Sequence, residues 1–142
     1  MIKFFAPEEE ARIIEAIRLA EAGTTGEIRV HLENDAKRNA MEECLAVFHR
    51  LGMHKTRDRN AVLILLEIKR KEFAIIGDVG IDAKVSEDFW DEERDLMQRH
   101  FRMHQFTEGL VLAIEQIGAK LQRFFPMAGD NPNQLPDEIS YG

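Results

Sequence analysis

Ala61-Val62-Leu63-Ile64-Leu65-Leu66 is the stretch that most constrains the fold. A half-exposed strand alternates apolar and polar residues, but this run has no polar member. It therefore reads as a strand buried on both faces, central in a sheet with cover above and below. The run is far shorter than the roughly 18 apolar residues that a membrane-spanning helix needs. Lys69-Arg70-Lys71-Glu72 follows as a charged turn, and Phe73 to Ile76 is the next strand. The two strands form a hairpin.

The other elements arrange themselves around that strand. Pro7-Glu8-Glu9-Glu10 opens a first helix, with proline at the first helical position and acids at the positive end of the dipole. Gly23 ends it. Ile28, Val30 and Leu32 alternate with Glu27, Arg29, His31 and Glu33, which predicts a strand with one wet face. A second helix is expected over about Ala36 to Leu51, with Gly52 as its C-terminal cap. A third covers about Ser86 to His104, capped by Ser86 or Asp88. A fourth starts near Thr107 and runs to about Phe125, where Leu110, Ile114, Ile117, Leu121 and Phe124 recur at helical spacing. The length of 142 residues fits one domain, assigned to residues 1–126. Residues 127–142 form an extended tail expected to pack on or near it, with Asp130 to Asp137 irregular.

Two strands joined through a helix run parallel, and the hairpin returns antiparallel. The result is a small mixed sheet flanked by helices, an α/β layered domain. This topology brings three segments to one sheet edge: Thr24-Thr25-Gly26-Glu27, Arg57-Asp58-Arg59-Asn60 and Gly77-Asp78-Val79-Gly80-Ile81-Asp82. Carboxylates gathered at one edge repel unless something compensates. A hard cation with oxygen ligands, Ca²⁺ or Mg²⁺, would do so. Arg57 and Arg59 could do so with no metal at all. The acids also read more plainly as turn formers and helix caps. The loop has neither the ligand spacing of an EF-hand nor a glycine pattern for nucleotide phosphates.

"TTGEIRVHLE", "HKTRDRNAVLILLEIKRKEFAIIGDVGID", "FW" and "FTEGLVLAIEQIG" together resemble the TPM domain family. The resemblance runs from about Glu9 to Phe125, and Ala61 stands where many members have glycine. It implies a Rossmann-like three-layer α/β/α sandwich. It also implies divalent-ion binding, as in some members, and acid phosphatase activity, as in others. The matching positions are Asp58, Asn60, Asp78 and Asp82, with Glu27 nearby. Glu27, Asp58, Asn60, Asp78 and Asp82 are the candidate metal ligands, and Arg57 and Arg59 the candidate phosphate contacts. No catalytic residue is assigned.

Other signals narrow the function. Nineteen Lys and Arg against 26 Asp and Glu give a net charge of −7, which argues against nucleic acid as a partner. Neither a signal peptide nor a membrane anchor is legible, so a stand-alone cytoplasmic protein is expected. Cys44 to Arg50 fits CX5R, but the intervening residues are helical and lack glycine, so Cys44 reads as an inert core thiol. His100 and His104 have zinc-ligand spacing without the glutamate of HExxH. Trp90 beside Phe89 reads as a core anchor. No Ser-His-Asp or Cys-His triad assembles from spacing alone. A divalent-cation-binding or protein-interaction module is the leading expectation, with a partner protein unspecified. A low-specificity metal-assisted acid phosphatase at the same edge is the alternative.

Overall fold

A computed structural model describes residues 4–127 and 135–142. The elements in chain order are α1 (Pro7–Glu21), β1 (Glu27–Glu33), α2 (Ala40–Arg50), β2 (Ala61–Glu67), β3 (Glu72–Gly77), α3 (Val79–Asp82), α4 (Asp91–Arg102), α5 (Phe106–Phe124) and β4 (Ser140–Tyr141). A single 3₁₀ turn, Met53–Lys55, precedes β2. The sheet order is β3-β2-β1-β4. Strand β1 is parallel to both β2 and β4, and β2 is antiparallel to β3.

Strand β2 is buried along its whole length, as its unbroken apolar sequence requires. Val62, Ile64 and Leu66 face a core shared with Ile13, Ile17, Leu110, Ile114 and Ile117 of α1 and α5. Ala61, Leu63 and Leu65 face the other way, onto Cys44, Val47 and Phe48 of α2. These two cores make the three-layer α/β/α sandwich. Each large aliphatic side chain so buried contributes about 1.5–3 kcal/mol relative to exposure.

Helix boundaries depart from expectation where side chains compete for the backbone. Helix α2 begins at Ala40, not Ala36, because the Ala36 N–H donates to Glu67 Oε2 at 2.7 Å. Asp35 just before it has φ 70°. The cap is Asn39, whose side chain accepts from the Glu42 N–H at 2.9 Å. Helix α4 begins at Asp91. Ser86 and Asp88 hydrogen-bond to each other rather than capping it, and residues 86–90 form turns that seat Trp90 in the core. Gly52 sits past the end of α2 in the left-handed region at φ 71°, the cap expected of it.

Strand β1 has no wet face, contrary to its alternating sequence. Glu27, His31 and Glu33 are all buried. Strand β4 closes the edge beside β1, where Ser140 Oγ bonds His31 Nδ1, and Leu135 of the preceding tail packs against the α2-side core. His31 lies opposite Ser140 in register, and Ile139 turns into the main core. Part of the stretch expected to be irregular, residues 130–134, lies outside the described residues.

Candidate functional site

The three segments named from topology meet at the amino ends of the parallel strands. The Asn60 side-chain amide donates to Thr25 Oγ1 at 2.9 Å, tying the approach to β2 to the approach to β1. Thr24 Oγ1 donates to the Phe125 carbonyl at 2.5 Å and accepts from the Gly26 N–H at 3.0 Å, which anchors that approach to the end of α5. The Gly80 N–H donates to the Arg59 carbonyl at 2.8 Å, and the Asp78 N–H to the Ala61 carbonyl at 3.0 Å. Gly80 crosses the Asp58–Arg59 backbone so closely that a Cβ there would stand 2.2 Å from the Asp58 carbonyl oxygen. This contact explains the second glycine of Gly-Asp-Val-Gly.

Asp78 is the most constrained acid of the edge. It is 5% exposed. Its Oδ1 accepts from the Val79 N–H at 2.8 Å and so caps α3. Arg59 grips both carboxylate oxygens, Nε to Oδ2 at 2.7 Å and an Nη to Oδ1 at 2.9 Å. The same pairing holds the Arg59 guanidinium above its ordinary pKa. Arg59 itself has φ 50°, a left-handed conformation uncommon for a residue with a side chain.

The remaining candidates lie around this pair. Asp58 is exposed and lies 3.7 Å from Arg57 in an ion pair. Asp82 closes α3 and faces solvent. Asn60 is fully buried, and its Oδ1 has no hydrogen-bond partner among the described residues. Glu27 is buried at the start of β1. Among the described residues, no three His, Cys, Asp or Glu side chains stand close enough together to hold a metal ion. The edge thus presents acids from two loops, but with Asp78 turned to Arg59.

Two polar groupings escaped the sequence reading because both depend on the tail. Glu21, at the end of α1, accepts from the Ile28 N–H at 2.8 Å. Burial first, and then a hydrogen bond with Asp137 of the tail, push its carboxyl up to about 10, and the Glu27 charge adds to this. Glu21 is therefore protonated at neutral pH and hydrogen-bonds Asp137. The second grouping is a buried chain, in which Ser140 Oγ lies 3.1 Å from His31 Nδ1 and His31 Nε2 lies 3.2 Å from Glu33 Oε1. Its order is that of a Ser-His-acid relay. Its setting differs, since Ser140 is a paired strand residue only 9% exposed. Burial holds the His31 pKa below its ordinary value, so the imidazole is neutral and joins β4 to β1 as a hydrogen-bonded link.

Other candidates resolve into packing. Cys44 is buried in the α2 core, which pushes its thiol up to about 12 and removes thiolate chemistry at neutral pH. His100 Nδ1 bonds the Leu96 carbonyl at 2.9 Å, while His104 rests beside Phe106. Trp90 is a core residue packed edge-on to Phe89.

Fold and edge together define a small three-layer α/β domain with an acid-rich loop cluster at one end of its sheet. The chain belongs to the TPM domain family, whose model matches residues 2–120. It is similar to the BA42 protein of the psychrophilic bacterium Bizionia argentinensis, solved by NMR. The identity is 43% over 100% of this chain and 98% of that one, with a TM-score of 0.93. It is also similar in fold to the N-terminal domain of a P. gingivalis protein solved by NMR, at 17% identity, 89% and 83% coverage and a TM-score of 0.69. No curated protein matches the chain.

Proposed function

We propose that this domain is a divalent-cation-binding module whose site is the edge where the loop before β2 crosses the start of α3. The observation that carries the reading is the bidentate Arg59–Asp78 pair. A nearly buried carboxylate is neutralised there by a guanidinium whose side chain is 43% exposed. A half-exposed ion pair is worth about 0–1 kcal/mol, somewhat more when bidentate, so a doubly charged ion can compete with it. Arg59 swinging into solvent would free Asp78, and the loops that carry the exposed Asp58 and Asp82 would close on it to complete the set. The buried Asn60 Oδ1 is a further oxygen in need of a partner.

The donor set suits a hard cation, since every atom in it is oxygen. Asp58, Asn60, Asp78 and Asp82 would hold Ca²⁺ or Mg²⁺, with Glu27 behind them. The ion would neutralise the edge and tie the β2 approach to α3, presenting a changed surface to a partner protein. Arg59→Ala tests the competition directly. Removing the internal rival should tighten Ca²⁺ binding about tenfold, one charge interaction's worth. Weaker binding in Arg59→Ala would show that Arg59 does not compete for Asp78.

A second reading is metal-assisted hydrolysis of phosphate esters, favoured by the Arg57 guanidinium lying next to Asp58 at the same edge. A bound cation would polarise a phosphoryl oxygen, and Arg57 and Arg59 would meet the developing charge. Turnover of a phosphomonoester should then disappear in both Asp58→Asn and Asp78→Asn. Turnover surviving in both belongs to another site or another protein.

A further inference from the structure

The opposite end of the sheet holds a cavity that the acidic edge does not explain. It lies at the carboxyl end of β2, with a volume of about 590 Å³. That size is typical of small-molecule sites. The cavity is bounded by the β2–β3 hairpin on one side and by the end of α4 and start of α5 on the other. Its wall is a chain of rings. Phe4 meets Phe106 at 5.1 Å, Phe106 meets Phe101 at 5.3 Å, and Phe101 meets Phe73 at 5.4 Å. Leu66 and Ile68 complete the apolar surface.

Charge at the rim is the informative part. The chain carries a net −7, yet Lys71 and Arg102 line this opening with no carboxylate within 4.0 Å among the described residues. The two acids of the lining are engaged elsewhere. Glu67 accepts from the Ala36 and Lys69 N–H groups at 2.7 and 3.0 Å. Glu72 pairs with Arg70 at 3.7 Å. An aromatic wall beneath two uncommitted cations complements a molecule with an apolar body and an anionic head. We propose that this cavity binds a small hydrophobic anion, such as a medium-chain carboxylate, with Lys71 and Arg102 on the head group and the phenylalanine rings along the body.

The test uses decanoate and its neutral counterpart decanol as probes, titrated into the full chain and followed by amide NMR. Decanoate should bind saturably, with shifts confined to Phe4 and residues 66–73 and 98–106. Lys71→Glu/Arg102→Glu alters two exposed positions, so the fold is expected to survive, as circular dichroism would verify. It should weaken decanoate about tenfold or more while leaving decanol unchanged. Equal affinity of the wild type and the double variant for decanoate would overturn the assignment of the head group. Absence of saturable binding, or shifts clustered elsewhere, would overturn the site. Shifts that track protein concentration alone would assign the cavity to a second copy and overturn the ligand.

Discussion

Gly80 and Asp78 show at the level of single residues how the edge is built. Gly80 is required by a crossing of backbones, since an added methyl would stand 2.2 Å from the Asp58 carbonyl oxygen and 2.5 Å from that of Arg59. Neither neighbour is a flexible side chain that could yield. Gly80→Ala should therefore push the β2 approach away from α3 and cost about 1–3 kcal/mol, measurable by urea denaturation. Asp78 has two separable tasks, capping α3 and receiving Arg59. Asp78→Asn keeps a capping oxygen and loses the charge, whereas Asp78→Ala loses both. The alanine variant should lose about 1 kcal/mol more than the asparagine variant, the usual worth of a cap. The sequence marked both residues through the Gly-Asp-x-Gly pattern. It could not reveal that Arg59 would hold Asp78, because two nearby arginines, Arg57 and Arg59, were equally eligible and only the backbone turn at Arg59 selects one.

At the scale of elements, the central strand was legible and its neighbour only half so. Strand β2 declared its burial through six apolar residues. Strand β1 displayed an alternation that normally means one face in water, but Glu27, His31 and Glu33 of that face are buried and His31 is bonded to Ser140 of β4. Two residues are too few to carry a period, and Pro132 and Pro136 suggested irregular chain, so β4 left no readable trace. The tail nonetheless joins the domain through His31–Ser140, through Tyr141 hydrogen-bonded to Glu10, and through Asp137 with Glu21. The last of these carries a pH dependence. Glu21 has its carboxyl pushed up to about 10 when folded, against an ordinary value of 4.5. Between those values the folded state holds a proton that the unfolded chain has released, so stability falls as pH rises through the window. Glu21→Gln mimics the protonated form and should flatten that slope. At pH 8 it should stabilise the fold by about 1–2 kcal/mol, seen as a raised melting temperature. A variant less stable than wild type at pH 8 would contradict a protonated Glu21.

For the molecule as a whole, the sheet separates two kinds of surface. Acidic loops collect at the amino ends of β1 and β2, and an aromatic cavity opens at the carboxyl end of β2. The first was readable because strand order and direction alone decide which loops share an edge. The second was not, since Phe4, Phe73, Phe101 and Phe106 are scattered through the chain and each looks like an ordinary core residue. Among the described residues no helix is long and apolar enough to cross a membrane. The central claim is that the acidic edge exchanges its internal guanidinium for a divalent ion. A Ca²⁺ and Mg²⁺ titration followed through backbone amide and Arg59 Nε–H signals tests it most directly. Saturable shifts should appear in residues 25–27, 58–60 and 78–82, and the Arg59 Nε–H signal should lose its bonded character as Asp78 is taken over. A static Arg59 signal, with no saturable shift at that edge at millimolar ion, would contradict the claim.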